Sequence, residues 1–218
     1  MRALPPALDR GFTLVELIVV LGVISILVAS AVPLAGAAID ADRRVEIRQT
    51  LAELGDALAT YYYDHAAFPP TLTDSSFFGV YVGGGVGGRT VRDPWGTGAE
   101  LVYSVQIAAN EARVHSRGEN GVDDGFANEE WSIAVPGSAP GLQRTHSRMR
   151  VIIESLVLFL ANGGSLTGDW SSDRASMGLG AEYQKDGFGV DFTLDAAAKV
   201  LRSAGPDRVF GTSDDLTS

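Results

Sequence analysis

The sequence predicts an α+β chain. A long apolar helix continues into an amphipathic one packed on a small antiparallel sheet, and a second, tandem copy of that head follows. Three observations lead there. Residues 12–39, FTLVELIVVLGVISILVASAVPLAGAAI, carry one charge, Glu16. Leu51, Leu54, Leu58, Tyr61 and Tyr62 then recur at helical spacing. Two rounds of short strand patterns come next, each closing on an acidic loop punctuated by glycine.

The apolar run spans 28 residues. As a helix at ~1.5 Å per residue it reaches about 42 Å, longer than a hydrocarbon core of ~30 Å. Arg2 and Arg10 precede it, while Asp40 and Asp42 follow. The positive-inside tendency therefore keeps the leader cytoplasmic and carries the head across the membrane. An ordinary secretory signal is the alternative, with Ala29-Ser30-Ala31 as its cleavage site. That reading leaves Glu16 unexplained, because an ionisable group within a membrane helix is costly and implies a partner. Pro33 removes a backbone donor late in the run, so a bend or local unwinding is expected there.

Arg10-Gly11-Phe12-Thr13-Leu14-Val15-Glu16-Leu17 resembles the processing motif of type IV prepilins and type II secretion pseudopilins. The resemblance implies that a prepilin peptidase cuts between Gly11 and Phe12 and that Phe12 becomes the methylated first residue. It implies pairing of Glu16 with the new Phe12 ammonium of an adjacent subunit, which sets the register of a filament. A carboxylate and an ammonium in an apolar setting are far less costly together than apart. Other pilin or pseudopilin subunits, an inner-membrane assembly platform and, before assembly, the lipid bilayer are the implied partners. The implied location is a single-pass inner-membrane protein with its head in the periplasm, and then the filament.

Along the chain, 1–11 reads as a leader, 12–39 as the membrane and assembly helix, and 40–134 as a first head. The amphipathic stripe should end before Phe68-Pro69-Pro70. The glycine run from Gly83 to Gly88 lacks a following Lys-Ser and is a loop, not a phosphate cradle. Strand patterns lie at 101–105 and 111–115. The turn Asp93-Pro94-Trp95-Gly96 and the acidic loop from Ser116 to Gly125 resemble the corresponding features of the major pseudopilin. The loop departs from that pattern at Glu119 and Asn120.

Residues 135–141, Val-Pro-Gly-Ser-Ala-Pro-Gly, read as a linker and 142–218 as the second head. Met149, Ile152, Ile153, Leu156, Phe159 and Leu160 mark its helix, with a stop at Asn162-Gly163-Gly164. Asp186-Gly187-Phe188-Gly189 echoes the earlier turn, strand patterns follow near Phe192 and Val200, and the chain closes on an acidic stretch. A single larger head with an insertion is the alternative.

The chain has no cysteine and a formal net charge of −10, all of it on the head, since the charges ahead of Asp40 cancel. Such a head repels phosphate backbones, so nucleic acid is not an expected partner. Hard cations suit it better. Calcium takes about six to eight oxygens on a backbone turned by glycine, and related pseudopilins carry it in a terminal loop. The expected calcium ligands are Ser203, Asp207, Thr212, Asp214 and Asp215, with Ser116, Asn120, Asp123 and Asp124 as a weaker second set. His65, His115 and His146 are scattered without a catalytic spacing, and no enzyme is expected. The expected function is a polymerising structural subunit. Its alternative is a minor or tip subunit whose enlarged head binds cargo or a surface.

Overall fold

The computed structural model describes residues 13–83, 89–95, 98–125 and 131–218. The leader, Gly11, Phe12, Gly96 and most of the glycine run (84–88) lie outside the described residues. Two units are distinguished, Met1–Glu46 and Ile47–Ser218.

Helix α1 runs from Leu14 to His65. Within the first unit it is exposed along its apolar length: Leu14, Val15, Ile18, Leu21 and Ile26 all face outward. It is the one helix among the described residues long and apolar enough to cross a membrane. The unwinding expected at Pro33 is not seen, and α1 continues through it. Proline removes one donor from a ladder of many, and the neighbouring turns hold. The helix ends at His65, three residues before Phe68-Pro69-Pro70, as the proline pair requires.

In the second unit the stripe Ile47, Leu51, Leu54, Leu58 and Tyr61 is buried. It packs on an antiparallel sheet of β1 (Val102–Gln106), β2 (Glu111–His115) and β3 (Ser132–Pro136), in that order. Central β2 sends Ala112 and Val114 inward, with Val114 opposite Tyr103 on one side and Ile133 on the other. This is the period of two that a half-buried sheet demands.

The stretch 135–141, expected as a linker, belongs to two elements instead. Val135 and Pro136 complete β3, and Ser138 begins α2 (Ser138–Ala161). Both prolines obey backbone rules that allow this. Pro136 sits on an edge strand, and Pro140 lies in the first helical turn, where a missing donor costs nothing. Helix α2 buries Met149, Ile152 and Leu156. It ends where Asn162-Gly163-Gly164 foretold. Gly163 takes φ 82°, its N–H donates to the Leu160 carbonyl, and the Gly164 N–H donates to that of Phe159.

Beyond it come α3 (Trp170–Ser176) and a second antiparallel sheet of β4 (Thr193–Asp195), β5 (Val200–Ser203) and β6 (Leu216–Thr217). Trp170, Phe192, Leu194 and Leu201 join the α2 stripe in a second apolar cluster. Within this unit the halves meet through Asn110. Its side chain donates to the Tyr62 hydroxyl (2.8 Å), its carbonyl accepts from Gly137, and its Oδ1 accepts from Arg208 (3.3 Å).

Candidate functional site

Thr13 and Glu16 open α1 with a reciprocal cap. The Glu16 N–H donates to Thr13 Oγ1 (3.2 Å), and the Thr13 N–H donates to Glu16 Oε2 (3.4 Å). A Thr-x-x-Glu capping box satisfies two helix-end donors that otherwise lack partners. Glu16 is therefore held at the very start of the exposed apolar helix, with its carboxylate against the backbone nitrogen next to Phe12. Position 13 carried the sequence signal for this cap, since Thr13 precedes Glu16 by three residues. Gly11 and Phe12 lie outside the described residues.

The head contains a second kind of site, built twice. Asp93 is buried and accepts from Trp95 N–H (3.1 Å), Ser116 Oγ (2.8 Å) and Arg117 N–H (2.6 Å). Ser116 Oγ in turn accepts from Gly118 N–H (2.9 Å). Asp186 is fully buried and accepts from Phe188 N–H (2.9 Å), Val190 N–H (2.9 Å) and Ser203 Oγ (2.7 Å). Ser203 Oγ accepts from Gly205 N–H (3.2 Å). Gly118 and Gly205 adopt nearly the same left-handed backbone, φ 68° and 67°. A carboxylate taken out of water needs several donors, and each aspartate has three. Both clamps tie the turn before a hairpin to the residue that opens an acidic loop.

That geometry decides what the expected calcium ligands can do. Ser116 and Ser203 are both buried and donate to the clamp aspartates. In the first loop, Asn120 Oδ1 accepts from Val122 N–H (2.9 Å). Asp123 Oδ1 lies 2.8 Å from His115 Nε2 and also accepts from Gly125 N–H (3.1 Å). The His115 hydrogen bond, then that of Gly125, holds the Asp123 carboxyl below its ordinary range. Asp124 is exposed beside it. This loop has its own internal partner, a histidine, where a cation would otherwise balance the charge.

The terminal loop is arranged differently. Asp214 Oδ2 accepts from Asp207 N–H (3.0 Å), Asp214 Oδ1 accepts from the Thr212 hydroxyl (2.5 Å), and Asp215 Oδ2 accepts from Gly211 N–H (2.8 Å). The Thr212 bond, followed by that from Asp207, lowers the Asp214 carboxyl. Asp207 Oδ1 accepts from Val209 N–H (2.8 Å). The loop thus ties Asp207 and Thr212 to Asp214, and Asp215 to Gly211. Asp215 Oδ1 is enclosed without a hydrogen-bond partner among the described residues, a costly state for an acceptor-only atom. A hard cation there would satisfy it. Among the described residues no group of three or more His, Cys, Asp or Glu side chains forms a metal cluster. An ion in this loop must therefore draw on the Thr212 hydroxyl and backbone carbonyls as well.

Comparison with known proteins identifies what the chain is similar to. Residues 7–32 match the family model of the prokaryotic N-terminal methylation motif. The chain is similar to the type II secretion system core protein G of Klebsiella michiganensis, 32% identical over 140 residues. That match covers 58% of this chain and 95% of the relative. No solved structure gives a significant match.

Proposed function

This chain belongs to the type IV pilin and pseudopilin family, and from that premise we propose that it polymerises, after prepilin cleavage, into a type II secretion filament. Pilin-like proteins are structural rather than catalytic, and this one is a membrane-anchored structural subunit. The observation that carries the proposal is Glu16, the one charge in the apolar run, held at the helix start against the Thr13 nitrogen. Peptidase cleavage after Gly11 leaves an ammonium on Phe12, one residue from that nitrogen. In the free protomer Glu16 caps its own helix. On assembly it exchanges that weak cap, whose bond to Thr13 N–H measures 3.4 Å, for the Phe12 ammonium of a neighbour. The charge-assisted pair in apolar surroundings is the stronger bond.

The test is mass measurement of the mature amino terminus, together with the yield of sheared filaments. The expected terminus is methylated Phe12, and Glu16→Ala is expected to leave processing intact while reducing filaments at least tenfold. A mature chain starting elsewhere, or normal filaments from Glu16→Ala, sinks the proposal.

Two finer readings belong to the same proposal. The head is a tandem repeat, supported by the recurring clamp and the separate apolar clusters of its halves. The terminal loop holds calcium at Asp215, with the Thr212 hydroxyl and backbone carbonyls completing the site, a reading supported by the enclosed Asp215 Oδ1, unpartnered among the described residues. The enlarged head also favours a minor or tip role as the second reading. Abundance separates them: a main subunit dominates a sheared preparation, whereas a tip subunit is rare in it.

A further inference from the structure

Helix α2 carries a polar stripe as well as its buried one. Arg144, Ser147, Arg148 and Val151 follow the i, i+3, i+4, i+7 spacing of one helical face, and they line an open cleft of about 610 Å³. Tyr63, Asp64, Arg150, Glu182 and Tyr183 line it too. A smaller cavity of about 190 Å³ extends it past Arg144 and Arg148 to Lys185 and His65. A chain of net charge −10 thus gathers cations at one place.

Lys185 is paired with Asp191 (2.7 Å). Among the described residues neither Arg144 nor Arg148 forms such a pair. Arg148 donates to the Lys185 and Asp186 carbonyls, and Arg144 Nη1 is enclosed without a hydrogen-bond partner. The nearby carboxylates are otherwise engaged or held off. Asp64 accepts from the Tyr81 hydroxyl (2.7 Å), Asp186 is saturated by its clamp, and Glu182 forms no ion pair with either arginine. Burial lowers the pKa of both arginines and the charge of Arg144 adds to this for Arg148, while Asp64 and Asp186 at Arg144, and Glu182 and Asp186 at Arg148, oppose it. Two like charges four residues apart on one helix face destabilise it unless something lies between them. An oxyanion bridging two guanidiniums is the chemistry that removes both costs.

We propose that this cleft is a socket for a carboxylate side chain from a second copy of the chain, a lateral head-to-head contact in the filament. The partner's chemistry follows from charge: each copy has an acidic head with exposed acidic loops, and each has this arginine-lined cleft. The inference rests on the filament reading for its occupant but not for its anion chemistry. The cleft is too large for a bare inorganic ion to fill, and its tyrosines suit the apolar stem of an Asp or Glu side chain.

Two measurements test it. Full-length protein in detergent micelles is melted at constant ionic strength with sodium succinate or phosphate replacing chloride. The anion is expected to raise the wild-type Tm by about 3 °C and to leave Arg144→Gln/Arg148→Gln unmoved. In cells, the double variant and Ser147→Tyr, which fills the cleft but keeps both arginines, are each expected to yield at least tenfold fewer sheared filaments. No anion effect on the wild-type melt overturns the socket. An anion effect with filaments at wild-type level in both variants overturns the second copy as occupant and leaves a site for a free carboxylate or phosphate. If wild type forms no filaments at all, the filament reading and its occupant fall together, while the melt still decides whether the cleft binds anions.

Discussion

The two halves of the head hold their buried aspartates alike and finish their acidic loops differently. Asp93 and Asp186 each gather an N–H from two residues on and a serine hydroxyl from beyond a hairpin. The first loop then closes on itself, with His115 against Asp123. The second leaves Asp215 Oδ1 enclosed with no donor among the described residues. Where burial leaves no freedom, the same solution recurs. Where the loop meets solvent, the first half holds a carboxylate on a histidine, and the second presents carboxylates that an external cation suits. The difference teaches which part is scaffold and which part is free to take a ligand.

The clamp is the place to break this comparison. Asp93→Ala and Asp186→Ala each strand two N–H donors and a hydroxyl in the interior, and each is expected to cost about 3 kcal/mol or more. Urea unfolding of the full-length protein in micelles measures it. Equal losses support equivalent roles, while a loss below about 1 kcal/mol in either shows that its clamp is incidental.

Calcium sharpens the contrast between the loops. At about a hundredfold above its Kd, calcium should stabilise the wild type by about 2.7 kcal/mol, and chelation should remove that gain. Asp215→Ala is expected to abolish the response, and Asp123→Ala to leave it intact. A response that survives Asp215→Ala places the ion elsewhere.

Acid gives the smallest effect. Asp123 and Asp214 both have folded pKa values below the ordinary carboxylate value. Their contribution is therefore full above about pH 4, the unfolded value, and is lost as the pH falls through the lower folded one. Melting curves between about pH 5 and 2 should show a slight loss that Asp123→Ala makes shallower. A steeper loss in the variant contradicts the sign.

Much of this architecture was legible in the chain. The apolar run, the stripe from Leu51 to Tyr62, the strands at 102–106 and 111–115 and the Gly163 stop all rest on residues close in sequence. The misreading at 135–141 has a definite cause. Proline and glycine were taken as breakers there, yet an edge strand and a first helical turn both tolerate proline. Short β6 and α3 went unseen because two and seven residues carry too little periodicity to register. The clamp was half visible: the Asp-Pro-Trp-Gly turn and its echo stood out, whereas the serines looked like ligands for an ion.

The amino-acid sequence determined the membrane helix, its processing motif and the α+β order of the head, because hydropathy, helix caps and turn residues act over a few positions. The tertiary structure decided that Ser116 and Ser203 serve buried aspartates 23 and 17 residues away, and that two arginines share a cleft without an ion pair among the described residues. Such outcomes depend on which groups burial brings together. Desolvation makes each polar group's partner decisive, and that partner is chosen by packing rather than by neighbours in the chain.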